Sequence, residues 1–238
     1  MSKNIVKIIV IFVFGIFGGI FADQILWPYF IERPLFYKYR LDQAPIVINQ
    51  TEEIHIEENT ALENAVEKVD KSVAGIRIIK SNGKIIEGSG IIVTSDGLIV
   101  TLADLVSQQG EVSLFFDGKS ANYKVIKKDT KNNLALIKIE EVNLPTVGFA
   151  DAGSLRFGQR VFLLGAYFKN GNFTKIVNEG IIKTYDQSSI VTNMTDKAYL
   201  EGSALFNVKG ELVGLNTIDS ENRVFSIPIN QIREFIGF

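Results

Sequence analysis

A single histidine, His55, and no cysteine confine the side-chain chemistry open to this chain of 238 residues. Without a thiol there is no cysteine nucleophile, no thiolate metal site, no disulfide framework and no lipidated cysteine. One imidazole excludes every mechanism that needs two, His-rich zinc sites included. His55 alternates with Ile54 and Ile56 inside the acidic run TEEIHIEE at 51–58, where a solvated edge residue is expected rather than a metal ligand. No G-x-x-x-x-G-K-[ST] phosphate loop occurs. With 25 Lys and Arg against 27 Asp and Glu, the net charge of −2 lacks the basic footprint of a general nucleic-acid binder. Neither a metal nor a cofactor is expected, and nucleic acid is not expected as a partner.

The elements that could position such side chains begin with an apolar segment. Residues 8–22 (IIVIFVFGIFGGIFA) carry no charge. The wider window 5–26 makes a helix of about 33 Å, enough to cross a hydrocarbon core of about 30 Å when Lys7 snorkels to the head groups. Trp27, Tyr29 and Phe30 follow as an interfacial aromatic belt. Lys3 and Lys7 precede the span, so the N-terminus is expected in the cytoplasm and all that follows residue 30 outside it. The expectation is an uncleaved, single-pass signal-anchor over residues 1–30. A cleaved signal ending at Ala22 is the alternative, with Ile20 where a small residue is usual. Gly15 and Gly19, spaced G-x-x-x-G, share one helix side and would suit a homo-oligomer. Pro34, Pro45 and the acidic run then give an extended stalk over 31–60.

Thr60-Ala61-Leu62-Glu63 has the form of a capping box opening a short helix through about Val69. From 73 onward the chain reads as short strands: 73–79, 85–93, 98–101, 112–116, 122–127 and 134–139 in one set. A second set comprises 160–165, 173–177, 179–185, 189–192, 204–208, 211–217 and 224–227. Turn formers such as Ser95-Asp96-Gly97 and Asp117-Gly118 separate them. About a dozen short strands in two groups describe an all-β body of barrels or sandwiches, closed by a short helix over 230–236.

Several segments, in order, carry a resemblance. Gly88-Ser89-Gly90-Ile91-Ile92 and Asp96-Gly97-Leu98-Ile99-Val100-Thr101 come first, then DTKNNLALIKI at 129–139. Leu155-Arg156-Phe157-Gly158-Gln159, ALFNVKGELVG at 204–214 and Phe225-Ser226-Ile227-Pro228 follow. Together they resemble the HtrA/Deg branch of trypsin-like serine proteases over about residues 62–238. The resemblance implies two six-stranded β-barrels, at about 72–145 and 150–228 within a domain at 61–238. It also implies that the chain stops where that branch usually continues into a PDZ domain.

The same resemblance locates the catalytic positions. Its histidine position is Asp104, its aspartate position Asn133, its nucleophile position Glu201, and its oxyanion-hole glycine is replaced by Tyr199. An alignment shifted by a two-residue deletion offers Ser203 as nucleophile, but the one imidazole, His55, lies in the stalk; a Ser–Lys dyad would need Lys197 or Lys209, and no spacing supports it. A triad needs serine, histidine and aspartate in three roles, so no catalytic residue and no enzyme activity are expected. Asp104 and Glu201 are expected to face one another so that one carboxyl pKa rises, with the Asn133 amide donating to a carboxylate. Tyr199, Leu200, Glu201, Gly202 and Ser203 are the candidates for lining the cleft. The expected function is a membrane-anchored, extracytoplasmic pseudoprotease that binds an extended peptide or an envelope protein without hydrolysis. Two alternatives stand beside it: an HtrA/Deg-like endopeptidase with a relocated catalytic group, and a structural envelope-assembly subunit.

Overall fold

Runs of Val, Ile and Leu punctuated by Gly, Asn and Asp turns set the architecture of the computed structural model, which describes residues 2–28, 58–107, 110–169 and 171–238. The chain divides into two units, Met1–His55 and Ile56–Phe238. His55, most of the expected stalk, Tyr29 and Phe30 lie outside the described residues.

In the first unit, helix α1 (Ser2–Phe21) continues into a π-helical turn, Ala22–Leu26. Its apolar side chains are exposed on every side, Ile11, Phe14 and Phe17 among them. A helix hydrophobic all round calls for a nonaqueous surrounding, and Lys3–Leu26 is long and apolar enough to cross a membrane.

The second unit opens with α2 (Glu58–Val69). The helix begins two residues before Thr60, so the expected capping box does not form its start. Ala65 and Val69 are buried beneath it, and the Lys68 ammonium donates to the carbonyl of Lys209 at 3.0 Å. Seven strands then form one sheet: β1 (Val73–Ile79), β2 (Ile85–Ile92), β3 (Leu98–Leu102), β4 (Glu111–Phe116), β5 (Lys119–Ala121), β6 (Tyr123–Asp129) and β7 (Leu134–Ile139). Their spatial order is β5-β4-β1-β2-β3-β7-β6. A short helix, α3 (Ala103–Ser107), follows β3.

The second sheet contains β8 (Gly148–Phe149), β9 (Arg160–Lys169), β10 (Asn172–Tyr185), β11 (Ile190–Thr195), β12 (Ala204–Asn207), β13 (Glu211–Ile218) and β14 (Arg223–Pro228). Its order is β12-β9-β10-β11-β14-β13-β8, and the additional β12–β13 pairing closes six of these strands into a barrel. The first sheet curls as a half-barrel. The trypsin-like architecture is thus present, with the first barrel open. Helix α4 (Ile229–Ile236) buries Ile229, Ile232 and Phe235 and ends on Gly237 in the left-handed conformation.

One difference from the sequence reading has a local reason. The segments 173–177 and 179–185 form a single strand, β10, because Asn178 between them stays in the ladder opposite Leu163, its amide donating to the Thr195 carbonyl at 3.1 Å. Gly180 is held in the ladder as well. A side chain at 180 would collide with the Asn193 amide oxygen, which accepts the Ile181 N–H at 2.7 Å. The glycine makes room for that bond rather than ending the strand.

Candidate functional site

Ser89, fully buried in the middle of β2, ties the two sheets together. Its Oγ accepts the Ala166 N–H of β9 at 2.8 Å and donates to the Ala166 carbonyl at 3.3 Å. Its own carbonyl accepts the Thr101 hydroxyl at 2.7 Å. Its N–H donates to the Glu201 carbonyl at 2.8 Å. Every polar atom of this buried residue is therefore satisfied across the junction.

The loop that carries Glu201 is shaped by its neighbours. A 3-10 turn, Ala198–Leu200, precedes it. Gly202 follows with φ of +74°, and any Cβ there would run into the Ser89 carbonyl. Only glycine allows this backbone to lie against β2. Leu200, Gly202 and Ser203 are buried, whereas Tyr199 and Glu201 are part-exposed. Of the five expected cleft residues, Tyr199 and Glu201 are thus the two with accessible surface. Ser203 is fully buried; its Oγ accepts the Asn216 side-chain N–H at 3.0 Å. The Asn216 amide oxygen in turn accepts the Ser226 hydroxyl at 2.6 Å. The alternative nucleophile is a structural hydroxyl pointing into the second barrel.

Asp104 stands exposed at the start of α3. Its backbone N–H donates to the Asn133 side-chain oxygen at 3.0 Å, and the Ala103 N–H donates to the Asn133 carbonyl at 3.1 Å. Asn133, with φ of +53°, adopts the left-handed region that asparagine tolerates. Its amide oxygen accepts from a helix-start N–H, which leaves the amide NH2 as its donating side. The first N–H groups of a helix lack an acceptor, and Asn133 supplies one. Burial first, and the Asp104 charge second, push the Glu201 carboxyl above its ordinary pKa. The fold thus brings Asp104, Asn133 and Glu201 into one neighbourhood, with Tyr199 beside it.

Sequence reasoning missed the other wall of the cleft. Strand β2 pairs with β1 from Ile85 through Ile91, but with β3 only from Gly90 through Ile92. Outward backbone groups alternate along a strand, so the outward N–H of Ser89 places those of Glu87 and Ile85 on the same edge. Nothing among the described strands pairs with that edge. It faces a cavity of about 520 Å³ lined by Lys84, Ile85, Ile86, Glu87, Ala198, Tyr199 and Glu201. Tyr199 stacks on Tyr167 with ring centroids 5.2 Å apart. The signal was present in the lengths: a nine-residue run at 85–93 cannot be covered by a four-residue run at 98–101 across a tight turn. Among the described residues no group of three or more His, Asp or Glu could hold a metal ion.

Residues 88–215, more than half of the chain, match the family model of the trypsin-like peptidase domain, and the chain belongs to that family. Over 133 residues it is 34% identical to the periplasmic serine endoprotease DegP of Salmonella typhimurium, covering 49% of this chain and 27% of that protein. Over 137 residues it is 29% identical to a probable periplasmic serine protease, do/HhoA-like, of Haemophilus influenzae, covering 50% and 29%. The matches span less than a third of these relatives' lengths. Among solved structures, the HtrA-type protease AlgW with tripeptide matches with a TM-score of 0.66 at 22% identity, over 74% of this chain and 62% of that one. The domain is a trypsin-like fold of the HtrA branch. The expectation that the chain is not an enzyme is corrected by these relatives. The family is one of peptidases, and the matched proteins are named serine proteases.

Proposed function

We propose that this chain is a membrane-tethered, extracytoplasmic member of the HtrA branch that takes up an extended polypeptide along the free edge of β2. The observation that carries the reading is the outward backbone at Ile85 and Glu87, which no described strand pairs, beside an open cavity. A strand edge with free N–H and C=O groups accepts a peptide as an added strand, with affinity from main-chain bonds. Such docking precedes any chemistry on a peptide and does not itself require a nucleophile. The relatives' names, periplasmic proteases, and the description of AlgW with a tripeptide agree with a polypeptide ligand outside the cytoplasm. The apolar helix behind Lys3 and Lys7 supplies the tether and its orientation.

The test is fluorescence anisotropy with the full chain in detergent micelles and a labelled, chemically unfolded protein. Ile85→Pro deletes one outward N–H, and proline is tolerated on a free edge. Affinity should fall about tenfold while the circular dichroism spectrum is kept. Equal affinity of parent and variant would contradict strand addition at this edge.

A further inference from the structure

The cleft beside β2 is electrically lopsided. At one end the Glu201 carbonyl is fixed on the Ser89 N–H, so the Glu201 side chain is anchored there. Asp104 lies on the same side: the side chain of its neighbour Leu105 packs within 3.0 Å of where a Cβ at Gly202, the residue after Glu201, would stand, and the Asp104 charge acts on the part-buried Glu201 carboxyl. Among the described residues no lysine or arginine forms an ion pair with either acid. Glu87, the other acid of the lining, is already engaged. It accepts the Arg77 guanidinium at 3.1 Å and the Phe168 N–H at 3.2 Å. The cation of the lining, Lys84, lies five positions before Ser89. At about 3.3 Å per residue that places it about 16 Å away along the strand. The other lining residues are apolar or aromatic: Ile85, Ile86, Ala198 and Tyr199, whose ring is held by stacking on Tyr167.

Two carboxylates held together at a partly desolvated site are unfavourable until a cation arrives. An aliphatic stem can lie along isoleucine and tyrosine while its charged head reaches the acids, and a tyrosine ring attracts a cation as well. We infer that the cleft selects polypeptide segments bearing a lysine or arginine, whose cationic head docks at Glu201 and Asp104 while the backbone pairs with β2. The inference rests on the strand-addition reading above. An acidic side chain is repelled at the same place, so charge complementarity sets register as well as affinity.

The experiment uses the full chain in uncharged detergent and three blocked, labelled nine-residue peptides. Each alternates threonine and alanine and differs only in its central residue: lysine, norleucine or glutamate. The lysine peptide should bind about tenfold more tightly than the norleucine peptide, the size of one hydrogen-bonded charge contact. In Glu201→Gln the lysine-to-norleucine ratio should drop toward one. In Glu201→Lys the preference should turn to the glutamate peptide, a gain that misfolding cannot produce. If all three peptides bind the parent equally, the selectivity is overturned and strand addition stands. A parent that prefers the glutamate peptide overturns the inference as well, since the Lys84 end would then govern. If none of the three binds, the strand-addition reading falls and the inference falls with it.

Discussion

Replacing Ser203 by alanine separates a structural hydroxyl from a reactive one. The side chain has no exposure, and its Oγ is the acceptor of the equally buried Asn216 amide at 3.0 Å. Ser203→Ala leaves that N–H without a partner inside the barrel. A buried donor left unsatisfied costs about 1–3 kcal/mol, while loss of one oxygen atom opens little space. For a domain of this size each kcal/mol lowers Tm by about 2–4 °C, so a drop of about 3–10 °C is expected. Thermal and urea unfolding of the full chain in micelles measure it. Asn216 also accepts from Ser226 at 2.6 Å. The double variant Ser203→Ala/Asn216→Ala should therefore lose less than the sum of the single changes, by about 0.5–3 kcal/mol. A Ser203→Ala protein within about 0.5 kcal/mol of the parent, together with labelling of Ser203 in the parent by a serine-directed phosphonate, would refute the buried assignment.

Gly202→Ala should destabilise more than an ordinary surface change. The left-handed backbone alone costs about 1–2 kcal/mol, and the new methyl meets the Ser89 carbonyl; unchanged urea midpoints would contradict this. Glu201 gives a pH signature. Its carboxyl ionises near 4.5 when unfolded but at higher pH when folded, because of burial and the Asp104 charge. Stability should then fall as pH rises from about 4.5 through the folded-state pKa and level off above it. Glu201→Gln should flatten that fall and be more stable near neutral pH. Asp104, Glu87, Lys84 and Tyr199 remain in both proteins, so the difference curve isolates Glu201, and parallel curves would contradict the assignment. The native protein should remain in membranes after a carbonate wash, and an N-terminal sequence beginning at Asp23 would show instead that the helix is removed.

The β architecture was legible because turn residues such as Ser95-Asp96-Gly97 and Asp117-Gly118 punctuate apolar runs at short spacing. The ordered segments from Gly88 to Pro228 pointed to the trypsin-like fold. Less visible was anything decided by contacts between distant segments. Asn178 was read as a break between two strands, yet it stays in β10 with its amide bonded to Thr195 and Asp196 of a distant segment. Ser203 looked free to react until Asn216 claimed its hydroxyl. That the Asn133 amide oxygen serves the start of α3 was not legible either, because it depends on where that helix begins. Glu201 and Asp104 each follow a segment whose strand position was readable, and the Asp104 charge acts on the Glu201 carboxyl. The Lys84–Glu87 wall went unnoticed because a strand edge is defined by the partner it lacks. That absence emerges only when the registers of β1 and β3 against β2 are compared.

Amide hydrogen exchange at Ile85 and Glu87, with and without saturating lysine-bearing peptide, tests strand addition most directly. Among the described strands their outward N–H groups have no partner, while those of Ile86 and Gly88 are turned toward β1. The account predicts that the Ile85 and Glu87 amides slow on peptide binding, with Ile86 and Gly88 nearly unchanged. Peptide that saturates the protein while the Ile85 and Glu87 amides exchange at their free rates would contradict it.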